Sequence, residues 1–190
     1  MQQPLKPFPL AAYSGVALPM AAMGMPIAVY LPRFYSEGLG LSLITVGLIF
    51  TLARVWDVVT DPAMGYLIDR FETRWGRRKH WIALAVPILV VSVYQVFIPS
   101  PEDVSGGYLL FWLIMLYVGY TMMAISHQSW GAELAYSYDE RTRLFGWREI
   151  FVIGGMTIVL ALPALLESTG IDDQQSKGAS MGGFCIVLFP

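Results

Sequence analysis

Three ionisable residues, Arg54, Asp57 and Asp61, stand inside a stretch that is otherwise predominantly apolar, residues 41 to 68. Their spacing of three and then four residues stacks them along one face of a helix. A charge at the centre of a membrane helix costs roughly 2.5–3.5 kcal/mol even on the lenient insertion scale, so that face must look into a bundle interior or an aqueous cavity with partners. Arg54 can pair with Asp57 one turn on, which leaves one carboxylate in excess. Two carboxylates a turn apart repel each other unless a cation or a proton joins them. The pair is therefore a natural cation or proton site, with a static buried salt bridge as the structural alternative. Pro62 follows Asp61 directly and frees the carbonyl of Val58 beside the pair, which loosens the backbone where coordination or bending would need it.

The elements that hold these residues follow from composition. Of 190 residues, 56% are hydrophobic and only 14% charged, too few charges to coat a soluble globule of this size. The expected class is an all-α membrane protein, in which each span needs roughly 20 predominantly apolar residues. Spans are expected at residues 8–35, 41–68, 81–98, 108–134 and 150–166, and a sixth begins at 180–190 and stops with the sequence. On this reading the sixth helix is truncated and the chain is a fragment of a longer protein. A prematurely terminated or degenerate product is the alternative. Pro19, Pro26 and Pro32 predict a bent first helix.

Charge placement sets the expected orientation. Arg70, Arg74, Arg77, Arg78 and Lys79 join the second and third spans, and Arg141, Arg143 and Arg148 the fourth and fifth. The opposite loops carry Glu102, Asp103, Glu167, Asp172 and Asp173 with one basic residue, Lys177. The arginine-rich loops and the amino terminus are thus expected in the cytoplasm of a multi-pass cell membrane, taken as a bacterial inner membrane. Twelve basic residues against fourteen acidic ones remove the electrostatic argument for nucleic acid as a partner. One cysteine, Cys185, and two histidines, His80 and His127, do not make a zinc, disulfide or paired-histidine haem site, so no cofactor is expected. An enzyme is not expected either, because no nucleophile, base and orienting residue assemble.

The string Ala53-Arg54-Val55-Trp56-Asp57-Val58-Val59-Thr60-Asp61-Pro62-Ala63-Met64-Gly65, then Asp69 and Arg74-Trp75-Gly76-Arg77-Arg78-Lys79-His80-Trp81, resembles the glycoside-pentoside-hexuronide:cation symporters of the major facilitator superfamily. A second stretch, Ser129-Trp130-Gly131-Ala132-Glu133-Leu134 through Asp139-Glu140-Arg141-Thr142-Arg143-Leu144 to Arg148, is similar to that family's link from helix four into helix five. The resemblance implies two six-helix halves that rock around a central cavity, of which this chain holds the amino-terminal six-helix bundle and lacks the C-terminal half. It places Asp57 and Asp61 at the family's cation carboxylates and Thr60 where the family has an asparagine. Counted back without gaps from Trp130, Met123 falls at a helix-four threonine ligand. A thioether is a poor partner for a hard cation, which favours H+ as the coupling ion with Na+ possible. Ser126 and Ala21 stand where the family has sugar-binding aspartates, so the solute is left broad.

The same resemblance draws Ser126, His127, Trp130 and Arg148 to the substrate cavity. An indole can stack on a sugar ring while serine and arginine donate hydrogen bonds, which suits a sugar, a sugar acid or a sulfonate. His127 has a further reading as a proton relay. Gly65, Asp69, Arg74, Gly76, Arg77 and Arg78 resemble the superfamily's gate signature, with glycines for close helix approach and charges for a conformational latch. The expected activity is cation- or proton-coupled symport of a small sugar-like solute by alternating access. The rivals are a non-transporting scaffold or sensor on the same helices and a carrier of lipids or other amphipaths.

Overall fold

The computed structural model describes residues 7–71, 73–74, 76–100, 102, 104–135, 137–168 and 174–188. Among these residues the architecture is all-α, its helices following the six expected spans in order. Four of the five that are long and apolar enough to cross a membrane are α1 (Leu10–Gly38), α2 (Leu43–Arg70), α3 (Lys79–Phe97) and α4 (Gly106–Leu134). The fifth is α5 (Tyr138–Ser168), and α6 (Gln174–Leu188) is shorter.

Local chemistry explains where the helices begin. The Ser42 hydroxyl accepts the Thr45 N–H at 3.1 Å to cap α2, and the Ser105 hydroxyl accepts the Tyr108 N–H at 3.2 Å to cap α4. Hydropathy places the fifth span at 150–166, yet α5 starts at Tyr138, because the Ser137 hydroxyl accepts the Glu140 N–H and the first turn carries Asp139 and Glu140. A polar helical extension thus precedes the apolar part. The sixth helix likewise begins before its apolar stretch, at Gln174. The bend expected in α1 takes a particular form: two π-helical stretches, Pro26–Tyr30 and Phe34–Gly38, flank the short piece Leu31–Arg33. Pro26 and Pro32 offer no N–H to the preceding turns, and the Leu31 N–H reaches the Pro26 carbonyl five residues back.

The helices pack in a pattern that repeats. The strongest neighbours are α3 with α4, α1 with α5, and α2 with α4, and α6 rests on α3 and α1. Moving each helix three places along the chain turns the α1–α5 contact into α4–α2 and the α3–α4 contact into α6–α1, the signature of a three-plus-three repeat. Close approach is carried by glycine: a methyl on Gly155 of α5 would collide with the Leu18 carbonyl of α1. Enclosure is uneven. Buried residues make up 56% of the apolar stretch of α1 and 50% of that of α4, against 17% for α2 and 11% for α5.

Candidate functional site

On α2, Val46, Ile49 and Ala53 form the buried stripe, and Asp57 is the next position along it at helical spacing, with Asp61 one turn further. That register brings both carboxylates to α4. The Thr121 hydroxyl of α4 lies 2.7 Å from Asp61 Oδ1 and 3.2 Å from Asp57 Oδ1. A hydroxyl carries one hydrogen, so it cannot donate a full bond to two ionised carboxylates at once. An added proton or cation would relieve the repulsion between the two carboxylates. Asp57 is half-buried and Asp61 is exposed.

Arg54 reaches Asp57 Oδ2 with Nη1 at 3.5 Å, and its guanidinium sits 4.8 Å from the centre of the Tyr117 ring. The pair thus carries no close arginine clamp. Thr60, assigned to the cation site by resemblance, turns its hydroxyl to the carbonyls of Trp56 and Asp57 and away from the carboxylates. The ungapped count that put Met123 at the ligand position is corrected: Met123 is buried in the apolar core, and the helix-four oxygen at the pair belongs to Thr121. Tyr117, whose ring carries the Arg54 guanidinium, is a further residue that sequence reasoning passed over. Tyr117, Tyr120 and Thr121 share one face of α4 at helical spacing, and that polar stripe in an apolar helix was the available signal.

A second cluster closes the far ends of α2, α3 and α4. Arg78 donates from Nη1 to Asp69 Oδ1 at 2.7 Å and from Nε to Glu133 Oε1 at 3.1 Å, with its own side chain only 10% exposed. Arg77 lies 3.6 Å from the same Asp69 oxygen and donates to the Asp69 carbonyl. Glu133, which nothing in the sequence marks apart from its neighbours, completes the bridge to α4. Arg74 is exposed in the turn. The close-approach role assigned to the two glycines does not hold within this chain: a methyl on Gly65 would meet nothing within 4 Å, and Gly76 is required by its φ of +100°.

The residues drawn to a substrate cavity do not converge on one open wall. Ser126 is fully buried, and its hydroxyl meets no hydrogen-bond partner among the described residues. His127 is also buried: it stacks on Tyr13 at 4.1 Å, its Nε2 lies 2.9 Å from the Tyr13 carbonyl, and its own carbonyl accepts the Tyr13 hydroxyl. This reciprocal clasp fastens α1 to α4. Trp130 packs edge-on to Tyr13 with the Lys79 ammonium 5.8 Å from its ring centre. Arg148 donates to Glu149 at 2.6 Å. Ser126 and His127 are thus both buried in this structure, and their assignment to the solute stays an expectation of the resemblance.

The family model described as MFS/sugar transport protein matches residues 12–189. An isoprimeverose transporter of Lactiplantibacillus pentosus is 31% identical over 169 residues, covering 85% of this chain and 34% of that protein. The putative glycoside/cation symporter YagG of Escherichia coli is 29% identical over 163 residues, covering 83% and 34%. A sodium-dependent lysophosphatidylcholine symporter of Gallus gallus is 27% identical over 122 residues, covering 63% and 22%. The chain spans about a third of the length of the bacterial relatives it matches. Family description and relatives' names alike are those of transporters, not enzymes.

Proposed function

The chain belongs to the MFS/sugar transport protein family, and from that premise we propose that it forms the amino-terminal half of a secondary transporter carrying a sugar or sugar-like solute by cation-coupled symport. The observation that carries the reading is the Asp57–Thr121–Asp61 contact, where two carboxylates share one hydroxyl. A proton or sodium ion joins the pair, the solute binds, and the empty or doubly loaded carrier switches sides. Coupling is mutual affinity, so each ligand raises the binding of the other by the same factor. One charge moving down 100 mV supplies about 2.3 kcal/mol to accumulation. With a hydroxyl oxygen at the pair, the thioether argument against sodium no longer applies, and both ions stand as candidates. The second half of the transporter covers the open sides of α2 and α5, the arginine-rich loops face the cytoplasm, and the Asp69–Arg78–Glu133 cluster serves as the latch of one state.

A second reading, an amphipathic solute carried on the same helices, is favoured by the lysophosphatidylcholine symporter among the relatives. The discriminating experiment is uptake by cells expressing the whole gene product, offered isoprimeverose, glucuronate or lysophosphatidylcholine with and without Na+ at two pH values. Asp57→Asn is expected to abolish uphill accumulation of whichever solute is carried. Undiminished accumulation by that variant would sink the coupling role, and cation-independent solute binding would favour a non-transporting scaffold.

A further inference from the structure

Three arginine–carboxylate pairs among the described residues are closed. Arg78 meets Asp69 at 2.7 Å, Arg33 meets Glu37 at 2.7 Å and Arg148 meets Glu149 at 2.6 Å. Charge-assisted bonds of this type normally fall at about 2.7–2.9 Å. Arg54 is held 3.5 Å from Asp57 although the two are one helical turn apart on the same face, whereas the other long pair, Arg77 at 3.6 Å from Asp69 Oδ1, meets an oxygen that Arg78 already holds. The Arg54 side chain is 62% exposed, so nothing bulky keeps it from the carboxylate. What holds it is the ring of Tyr117 on α4, 4.8 Å from the guanidinium carbon and itself only 5% exposed. Ring and arginine thus differ in freedom: the ring is fixed by packing, while the arginine arm can move.

We infer that Tyr117 is a positioning residue of the coupling site: its ring holds the Arg54 guanidinium at the rim, so that the Asp57–Asp61 pair receives an incoming sodium ion instead of being neutralised by the chain's own cation. The inference rests on the coupling role proposed for Asp57 and Asp61. The face of an aromatic ring attracts a guanidinium without discharging it. Arg54 therefore stays near enough to temper the repulsion between the carboxylates and too far to occupy their Oδ1 atoms, both of which face Thr121. Removing the ring frees the guanidinium to move onto the pair, where it competes with the ion for the same negative charge.

The test uses sodium ion itself as probe, titrated calorimetrically into the purified whole gene product. Tyr117→Leu is expected to weaken Na+ binding about tenfold, the equivalent of about 1.4 kcal/mol. Tyr117→Phe, which keeps the ring face, is expected to stay within about twofold of wild type. In an Arg54→Gln background, adding Tyr117→Leu is expected to change the affinity less than about twofold, because no guanidinium remains to be released. Tyr117→Met, closer in volume to the ring, replaces the leucine variant if that one does not accumulate in the membrane. Unchanged Na+ affinity without the ring, or an equal loss in the Arg54→Gln background, overturns the inference. A wild type that binds no Na+ while Asp57→Asn still abolishes driven uptake overturns it as well and leaves the coupling role standing with a proton. Uptake undiminished by Asp57→Asn removes the coupling role and the inference together.

Discussion

At the scale of single residues, the two carboxylates were legible in the sequence and their hydroxyl partner was not. A carboxylate in a span is conspicuous because lipid penalises it heavily. A threonine in a span carries no such mark, since its hydroxyl can return to its own helix. Thr51, Thr60 and Thr157 do so, each donating to the carbonyl four residues back. Thr121 instead reaches across to α2, and only the packing of α4 on α2 distinguishes it from the others. The difference makes a prediction. Thr121→Val removes an oxygen from the carboxylate pair and is expected to weaken the apparent affinity for the driving cation about tenfold, as loss of a hydrogen bond to a charged group would. Thr121→Ser restores the oxygen and is expected to recover most of the affinity. Thr60→Val, whose hydroxyl serves the backbone, is expected to stay within about twofold in the same cation titration of uptake. If Thr60→Val proves the more damaging of the two valine variants, the site has been assigned to the wrong oxygen.

At the scale of elements, hydropathy located the apolar part of each helix and missed what caps and prolines do at its ends. The polar turns from Tyr138 to Glu149 are helical because a serine cap and two early acids favour it, forces a hydropathy window does not register. The π-helical stretches of α1 are local answers to missing N–H groups, so prolines foretell a bend but not its form. Helix contacts were the least legible feature, because any glycine in a span looks alike in sequence. Gly154 and Gly155 are adjacent, yet a methyl on Gly154 would meet nothing within 4 Å while one on Gly155 would strike the Leu18 carbonyl of α1. Backbone cannot rotate away as a side chain can. Gly155→Ala is therefore expected to destabilise the α1–α5 contact by about 1–3 kcal/mol. Gly154→Ala is expected to be neutral or stabilising by up to about 1 kcal/mol through helix propensity. Thermal unfolding midpoints of the two variants in one detergent separate them, and equal midpoints would mean that α1 and α5 do not approach as described.

At the scale of the molecule, charge and enclosure divide the bundle in two directions. Across the membrane, the basic residues gather at the end of α2 and the start of α3, where Arg78 joins three helices through Asp69 and Glu133. Within the membrane plane, α1 and α4 are enclosed while α2 and α5 stay open, and α2 carries the half-buried Asp57 and the exposed Asp61. A helix face carrying two carboxylates cannot meet hydrocarbon without cost, which is the physical reason for expecting a second half against it. The transverse direction rests on the positive-inside rule, and two single cysteines test it. Cys185 is the one cysteine of these 190 residues and is buried, so Cys185→Ala, together with replacement of any cysteine in the rest of the gene product, supplies a background without a competing thiol at little loss of packing. In that background Arg74→Cys lies in the exposed basic turn after α2, and Glu102→Cys lies in the turn between α3 and α4 at the opposite end. An impermeant maleimide added to intact cells is expected to label position 102 and to reach position 74 only after the membrane is opened. The reverse pattern would invert the orientation of every helix. The Asp69–Arg78–Glu133 cluster would then stand at the outer gate, and the ion would meet the Asp57–Asp61 pair from the other side.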